Sequence, residues 1–319
     1  MYSHDKLKYM IVHPGINSYL SPFMLSGSLI ASGMHVETAY STAKKIIADV
    51  PGDGVSESKL FQIMVEHIPQ KNRIRYTTLF LIKRFLMSPK SKSPLFIFLG
   101  GLAGKTTLTT YLVQHLGINR VISIDEEKYI VRSRSPELEH LWQPTYESIE
   151  GYIQTYQSMI PRMREKLDEN YHDYHDHKKW CYFWEGIYLL PSVLDQILSD
   201  HPEMYFLSIF SLPEIDEIRN RYMHRWLMEQ GLQKLKKTKN IIDSYLENIE
   251  AIRSTIKQEL PPVASFVIES KSFEEQLEIF YGCLHQKITD IANEKFPGWV
   301  ERIVQNPKDL TVFQRFLET

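Results

Sequence analysis

From residue 95 onward, short runs of β-forming residues recur between stretches of helical length. They are LFIFL at 95–99, RVISID at 120–125, WCYFWEGI at 180–187, MYFLSIFS at 204–211 and ASFVIES at 264–270. These runs are close to continuously apolar, which suits strands covered on both faces. Strand–helix alternation of this kind predicts an α/β fold, a parallel sheet wound by right-handed crossovers and flanked by helices. Helical patterns fill 106–116 and 136–170, a closing helix spans 273–295, and the last residues keep helical periodicity.

The first ninety residues read differently. KLKYMIVHPGINSYL suggests a short hairpin turning at Pro14-Gly15. PFMLSGSLIASG and HVETAYSTAKKIIADV read as helices, the second with Ala39, Ala43, Ile46 and Ile47 near a 3.6-residue period. SESKLFQIMVEHI opens on a serine cap, and YTTLFLIKRFLM follows it. The polar, proline-flanked SPKSKSP at 88–94 looks like a linker. The expected organisation is a small α-rich domain at 1–90 and an α/β domain at 91–319.

A chain of 319 residues, 43% hydrophobic and 24% charged, has enough apolar material for a buried core. Its net charge of −2 supplies no global field toward nucleic acid or an anionic membrane. Two cysteines make no disulfide framework, and neither a leader pattern nor a membrane-length apolar run is visible. A soluble cytoplasmic protein is expected.

The most specific chemistry lies in SPLFIFLGGLAGKTTLTTYL at 93–112, where a buried strand meets a glycine turn and then a helix. Phosphate-binding loops read G-x-x-x-x-G-K-[ST]. Their backbone N–H groups converge on an anion at a helix N-terminus, the lysine reaches the outer phosphates, and the hydroxyl ligates Mg²⁺. Gly100, Gly101, Gly104, Lys105, Thr106 and Thr107 supply these parts for ATP, but the position of the first glycine holds Leu99. The plainer alternative is a tight structural turn followed by an incidental Lys-Thr.

Four further groups attract attention. Asp125, with Glu126 and Glu127 beside it, ends a strand at the ligand-binding rim of an open α/β sheet, where it would orient or deprotonate an acceptor hydroxyl. The alternative is a helix cap. Glu185-Gly186 ends the next strand, and Glu185 is a candidate for Mg²⁺ or acceptor binding, or a structural turn acid. Arg219, Arg221 and Arg225 follow the fourth strand and suit a lid over a transferring phosphoryl group; a solvated helix face is the alternative. NYHDYHDHKKW carries His172, His175 and His177, for which a polar connecting loop is the simpler account than a metal site. LQKLKKTKN at 232–240 reads as a solvated basic face.

Taken together, these segments resemble the 2-phosphoglycerate kinase family of P-loop kinases over most of the chain. GGLAGKT is similar to both ends of the family loop GGTSGVGKS, two residues shorter in the middle. RVISIDEEKYIVR resembles the family's RVISTD…REVMR, which implies the acidic role for Asp125 and a substrate contact for Arg132. FWEGIYLLP resembles IIEGVHLVP, keeping Glu185, Gly186 and Pro191 with Tyr188 for histidine. IRNRYMHR resembles HRxRFxxR, with Ile218 for histidine, and YLENIEAIRSTI resembles a downstream helix at Tyr245, Asn248, Ile252 and Arg253. The N-terminal segment SPFMLSGSLIASGMHVETAYSTAKKI is similar to the ATP-cone-like domain preceding that kinase, with Met24 and Leu25 in place of a serine and a lysine.

The resemblance implies ATP and Mg²⁺ as cofactors and phosphorylation of a small acidic or phosphorylated acceptor, 2-phosphoglycerate or an inositol phosphate. No membrane or nucleic-acid partner is implied. The rivals are a catalytically impaired P-loop protein that binds nucleotide or protein, and a kinase acting on a sugar nucleotide.

Overall fold

A computed structural model of the chain describes residues 10–13, 16–19, 21–51, 55–230, 235–260, 265–269 and 272–318. Their side chains are described too, apart from those of 10–19, 222, 225–244 and 265. In chain order the elements are β1 (Met10–His13), β2 (Ile16–Tyr19), α1 (Pro22–Ala31), α2 (Val36–Asp49), β3 (Val55–Ser56), α3 (Glu57–His67) and α4 (Gln70–Met87). Then come β4 (Leu95–Gly101), α5 (Lys105–Leu116), β5 (Val121–Ser123), α6 (Ile124–Arg134), α7 (Ile149–His177), β6 (Cys181–Glu185) and α8 (Pro191–Leu198). The chain continues through β7 (Tyr205–Ser211), α9 (Ile215–Gln230), α10 (Leu235–Glu259), β8 (Ser265–Ile268), α11 (Phe273–Lys295), α12 (Trp299–Gln305) and α13 (Leu310–Glu318). No helix among the described residues is long and apolar enough to cross a membrane.

Two compact units form. One comprises Met1–Lys92, Tyr111–Asn119 and Tyr281–Thr319; the other comprises Ser93–Thr110 and Arg120–Phe280. In the first, β1 and β2 pair antiparallel with His13 opposite Ile16, as a hairpin requires; the Pro14-Gly15 turn lies outside the described residues. The Ser21 and Ser56 hydroxyls cap α1 and α3, accepting the N–H groups of Met24 and Lys59. The last helices close this unit's core, with Phe296 5.6 Å from Phe85 and 5.2 Å from Phe313 between ring centres. The 88–94 stretch holds a boundary between the two units, with Pro89, Lys90 and Lys92 exposed and its serines turned inward. Ser88, Ser91 and Ser93 are buried, and the hydroxyls of Ser88 and Ser93 donate to the carbonyls of Phe85 and Pro94.

The second unit is α/β, built on a five-stranded, wholly parallel sheet in the order β5-β6-β4-β7-β8. All seven residues of β4 are buried, as expected for a central strand covered on both faces. Its aromatic residues stack along the sheet: Phe96 lies 5.5 Å from Tyr182, and Phe98 meets Trp184 edge-on at 5.6 Å. RVISID does not remain a strand to its end. β5 stops at Ser123 and α6 begins at Ile124. Asp125, Glu126 and Glu127 fill the first turn of α6, where carboxylates favour the positive end of the helix dipole.

The helical segments expected over 136–170 are a short 3-10 turn at Glu139–Leu141 and one long helix. The 29-residue α7 starts only at Ile149, with the Ser148 hydroxyl accepting the Gly151 N–H, and runs to His177. His172, His175 and His177 therefore lie on the last two turns of a helix, not in a connecting loop. Their helical phase alternates with Tyr171 and Tyr174, which pack against His175, and Lys178 ends the helix in the left-handed region at φ 47°.

Candidate functional site

The carboxyl ends of β5, β6, β4 and β7 converge on one rim, and a cavity of about 840 Å³ opens there. From β4 the chain crosses to β5 on one side of the sheet, and from the neighbouring β7 it crosses to β8 on the other, so the rim between β4 and β7 is the switch point at which open α/β sheets take ligands.

Leu99 is an internal residue of β4, fully buried and paired with Glu185 on one side and Ile209 on the other. The strand runs on through Gly101, so the turn proper is only Leu102–Gly104 before α5 begins. Gly100 and Gly101 are demanded by close approach. A Cβ on Gly100 would lie 2.5 Å from the Leu189 carbonyl oxygen, and one on Gly101 (φ 106°) would fall on the Ser211 carbonyl. Gly104 has φ 82°, and its open face is covered by the Arg221 guanidinium.

Three successive carbonyls, from the last residue of β4 into the turn, are held by side chains. Lys105 Nζ donates to Gly101 at 2.8 Å, the Tyr146 hydroxyl to Leu102 at 3.4 Å, and the Ser211 hydroxyl to Ala103 at 2.8 Å. In a trans peptide the following N–H points the opposite way, so these bonds fix the amides of Ala103 and Gly104 as well. Beyond them, the first N–H groups of α5 have no acceptor within their own helix. Leu102 to Thr107 line the cavity.

Lys105 is buried, and burial pulls its ammonium below the ordinary lysine value, opposed by the carboxylates of Asp125 and Glu185. Asp125 lines the cavity and accepts the Ile187 N–H at 3.0 Å. It is the second residue of α6 and not its cap, so its carboxylate ties the start of α6 to the loop after β6. Glu185, at the end of β6, accepts the Thr109 hydroxyl at 3.1 Å. Burial raises its carboxyl above the usual range. The Thr109 bond and Lys105 pull it back, while Asp125 and Glu126 push it further up.

The three arginines separate. Arg221 lines the cavity and donates to Glu217 at 2.8 Å. Arg219 is displaced around α9, 3.8 Å from Asp216, and the side chain of Arg225 lies outside the described residues. Arg132 is not on the cavity wall; its guanidinium stacks over Tyr129 at 4.7 Å and Trp142 at 4.3 Å. The side chains of the basic run at 232–240 are also outside the described residues. No group of three or more His, Cys, Asp or Glu side chains among the described residues is disposed to hold a metal, and His177 instead pairs with Asp173 at 3.0 Å.

Several wall residues went unrecognised in the sequence. Asn220 and His224 face the cavity with Glu217 and Arg221. Positions 217, 220, 221 and 224 follow the helical i, i+3, i+4, i+7 series, a signal that was present. Thr145, Tyr146, Phe273 and Gln276 reach the cavity from distant segments, and no local pattern marks them. Compared with family models, with curated proteins and with solved structures, the chain matches none of them.

Proposed function

We propose that this chain is an ATP-dependent small-molecule kinase that phosphorylates a hydroxyl of an acidic or phosphorylated acceptor, of the 2-phosphoglycerate or inositol phosphate kind. The observation that carries this reading is the meeting in one cavity of a glycine turn with Lys105 at the helix N-terminus, the Asp125 carboxylate and the Arg221 guanidinium. In this reading the turn and the first N–H groups of α5 receive the ATP phosphates. Lys105 exchanges the Gly101 carbonyl for a phosphate oxygen, and Arg221 faces the transferring group.

Asp125 accepts the proton of the acceptor hydroxyl as that oxygen bonds to the γ-phosphorus. The bond from phosphorus to the β–γ bridging oxygen breaks, and ADP leaves with that electron pair. Thr106 and Glu185 are hard oxygen donors of the type magnesium takes, Glu185 through the ion's water shell. A cation there would relieve the crowding of Glu185 by Asp125 and Glu126. Magnesium bound with the nucleotide would spread the phosphate charge. Catalysis by the chain itself is chiefly positioning and charge stabilisation.

A second reading, a nucleotide- or partner-binding protein without transfer, is favoured by the three-residue turn and by Lys105 folding back onto its own loop. Calorimetric titration of Mg-ATP into wild type and Lys105→Ala separates the outcomes. Binding lost in the variant supports a phosphate cradle, and subsequent turnover with phosphorylated acceptors supports the kinase. Binding without turnover leaves the second reading. No binding in the wild type removes both nucleotide readings.

A further inference from the structure

On α6, one turn beyond Asp125, two cations stand four residues apart: burial and the neighbouring Arg132 disfavour the Lys128 ammonium, and the Asp125 carboxylate only partly offsets them. Lys128 and Arg132 form no ion pair among the described residues. The Lys128 ammonium donates to neutral oxygens, the Gln143 carbonyl at 3.3 Å and the Tyr188 hydroxyl at 3.2 Å, and lies 5.6 Å from the centre of the Tyr188 ring. Arg132 is held by ring faces alone. Like charges at i and i+4 on a helix repel, and a half-buried ammonium loses hydration, so this pair costs stability in the free protein. The Tyr188 hydroxyl is a hydrogen-bonding neighbour of both Lys128 and Thr145 Oγ1, the latter at 3.1 Å, and Thr145 lines the cavity beside Asp125. Lys128, Tyr188 and Thr145 thus form a polar chain ending at the wall where an acceptor would lie. Elsewhere the molecule's buried arginines are matched by acids: Arg162 meets Glu127, Glu165 and Glu169, and Arg253 meets Glu214, Glu250 and Glu269.

We infer that Lys128, positioned by the Tyr188 hydroxyl and backed by Arg132, is the residue that reads the anionic group of the acceptor. The acceptor is then a small polyol or hydroxy acid whose phosphate or carboxylate lies within about one helical turn, roughly 5–6 Å, of the hydroxyl presented to Asp125. This subsite rests on the kinase reading for its purpose, but its anion binding is measurable without turnover.

The experiment is calorimetric titration of the full chain with glycerol 2-phosphate, D-glycerate and neutral glycerol as probes, and separately with Mg-ATP. The expected result is that one or both anions bind and glycerol does not, which also distinguishes phosphate from carboxylate. Lys128→Met should weaken the anion by about tenfold or more, Lys128→Arg should restore most of that loss, and Tyr188→Phe should weaken it less than Lys128→Met. Melting temperature checks that Lys128→Met is folded, and relief of the like-charge pair predicts no fall. Anion affinity equal in wild type and Lys128→Met overturns the inference, as does equal binding of glycerol, or no anion binding to the wild type. If Mg-ATP fails to bind while Lys128-dependent anion binding persists, the kinase reading fails and the anion subsite stands.

Discussion

Gly101 and Gly104 both take positive φ, yet their surroundings ask different things of them. A side chain at Gly101 meets the Ser211 backbone of a neighbouring strand, which cannot move without breaking the sheet. Gly101→Ala should therefore cost about 3 kcal/mol or more, seen as a lower urea midpoint. Gly104 faces the end of a flexible arginine, so Gly104→Ala should cost only about 1–2 kcal/mol while weakening Mg-ATP binding. The motif's glycines were legible in the sequence. Which of them hold the sheet and which shape the turn was not, because that depends on Leu189 and Ser211, brought in by other strands. His285 carries a pH prediction. Burial takes its imidazole down to about 4, opposed by its bond with the Ala31 carbonyl and reinforced by Arg75. Since the folded value is below the unfolded one, the stability is intact above about pH 6.5 and is lost as pH falls toward 4. Between pH 7 and 5, wild type should lose about 2 kcal/mol relative to His285→Gln in denaturant titrations. Parallel curves for the two proteins would contradict the assignment.

At the scale of elements, the strands announced themselves through apolar continuity, and the parallel order followed from alternation. The arginine segment was harder to read. Arg219 and Arg221 are two residues apart, which on a helix places them on different faces, and only the phase of α9 selects Arg221 together with Glu217, Asn220 and His224. That phase is set where α9 starts. Glu214, immediately before it, meets the buried Arg253 of α10 at 2.6 Å, and Arg253 also reaches Glu250 and Glu269, with Lys257 paired to Glu269. The acids are about half exposed and can rehydrate, so removing the arginine costs less than breaking a fully buried pair. Arg253→Met, which keeps much of the stem's packing, should lower stability by about 2 kcal/mol. It should also raise amide exchange over 215–221 before it raises exchange in β4. Uniform loss of protection across the unit would mean that Arg253 supports the whole core instead of the base of α9.

The whole molecule divides in a way that reading along the chain does not reveal. The composition change at 88–94 marks one place where a unit begins, but no linear signal shows that 281–319 returns to build with the first ninety residues. The residues responsible are ordinary core aromatics: Phe296 and Phe313 pack in series with Phe85, Trp299 stacks on Phe316, and Gln314 accepts the Ser58 hydroxyl. Helical periodicity gives such residues a buried face without naming what covers it. Deleting 297–319 removes Phe313 and its neighbours and uncovers Phe85 and Phe296, a loss comparable to several large-to-small core substitutions at about 3–5 kcal/mol each. The cavity and all five strands of the parallel sheet belong to the other unit. Amide exchange of the truncated chain should therefore show lost protection over 57–87, with protection over 95–101 and 181–185 kept. If the sheet lost protection to the same extent, the two units would unfold as one cooperative body, and the tail would be a requirement for the candidate site as much as for its own core.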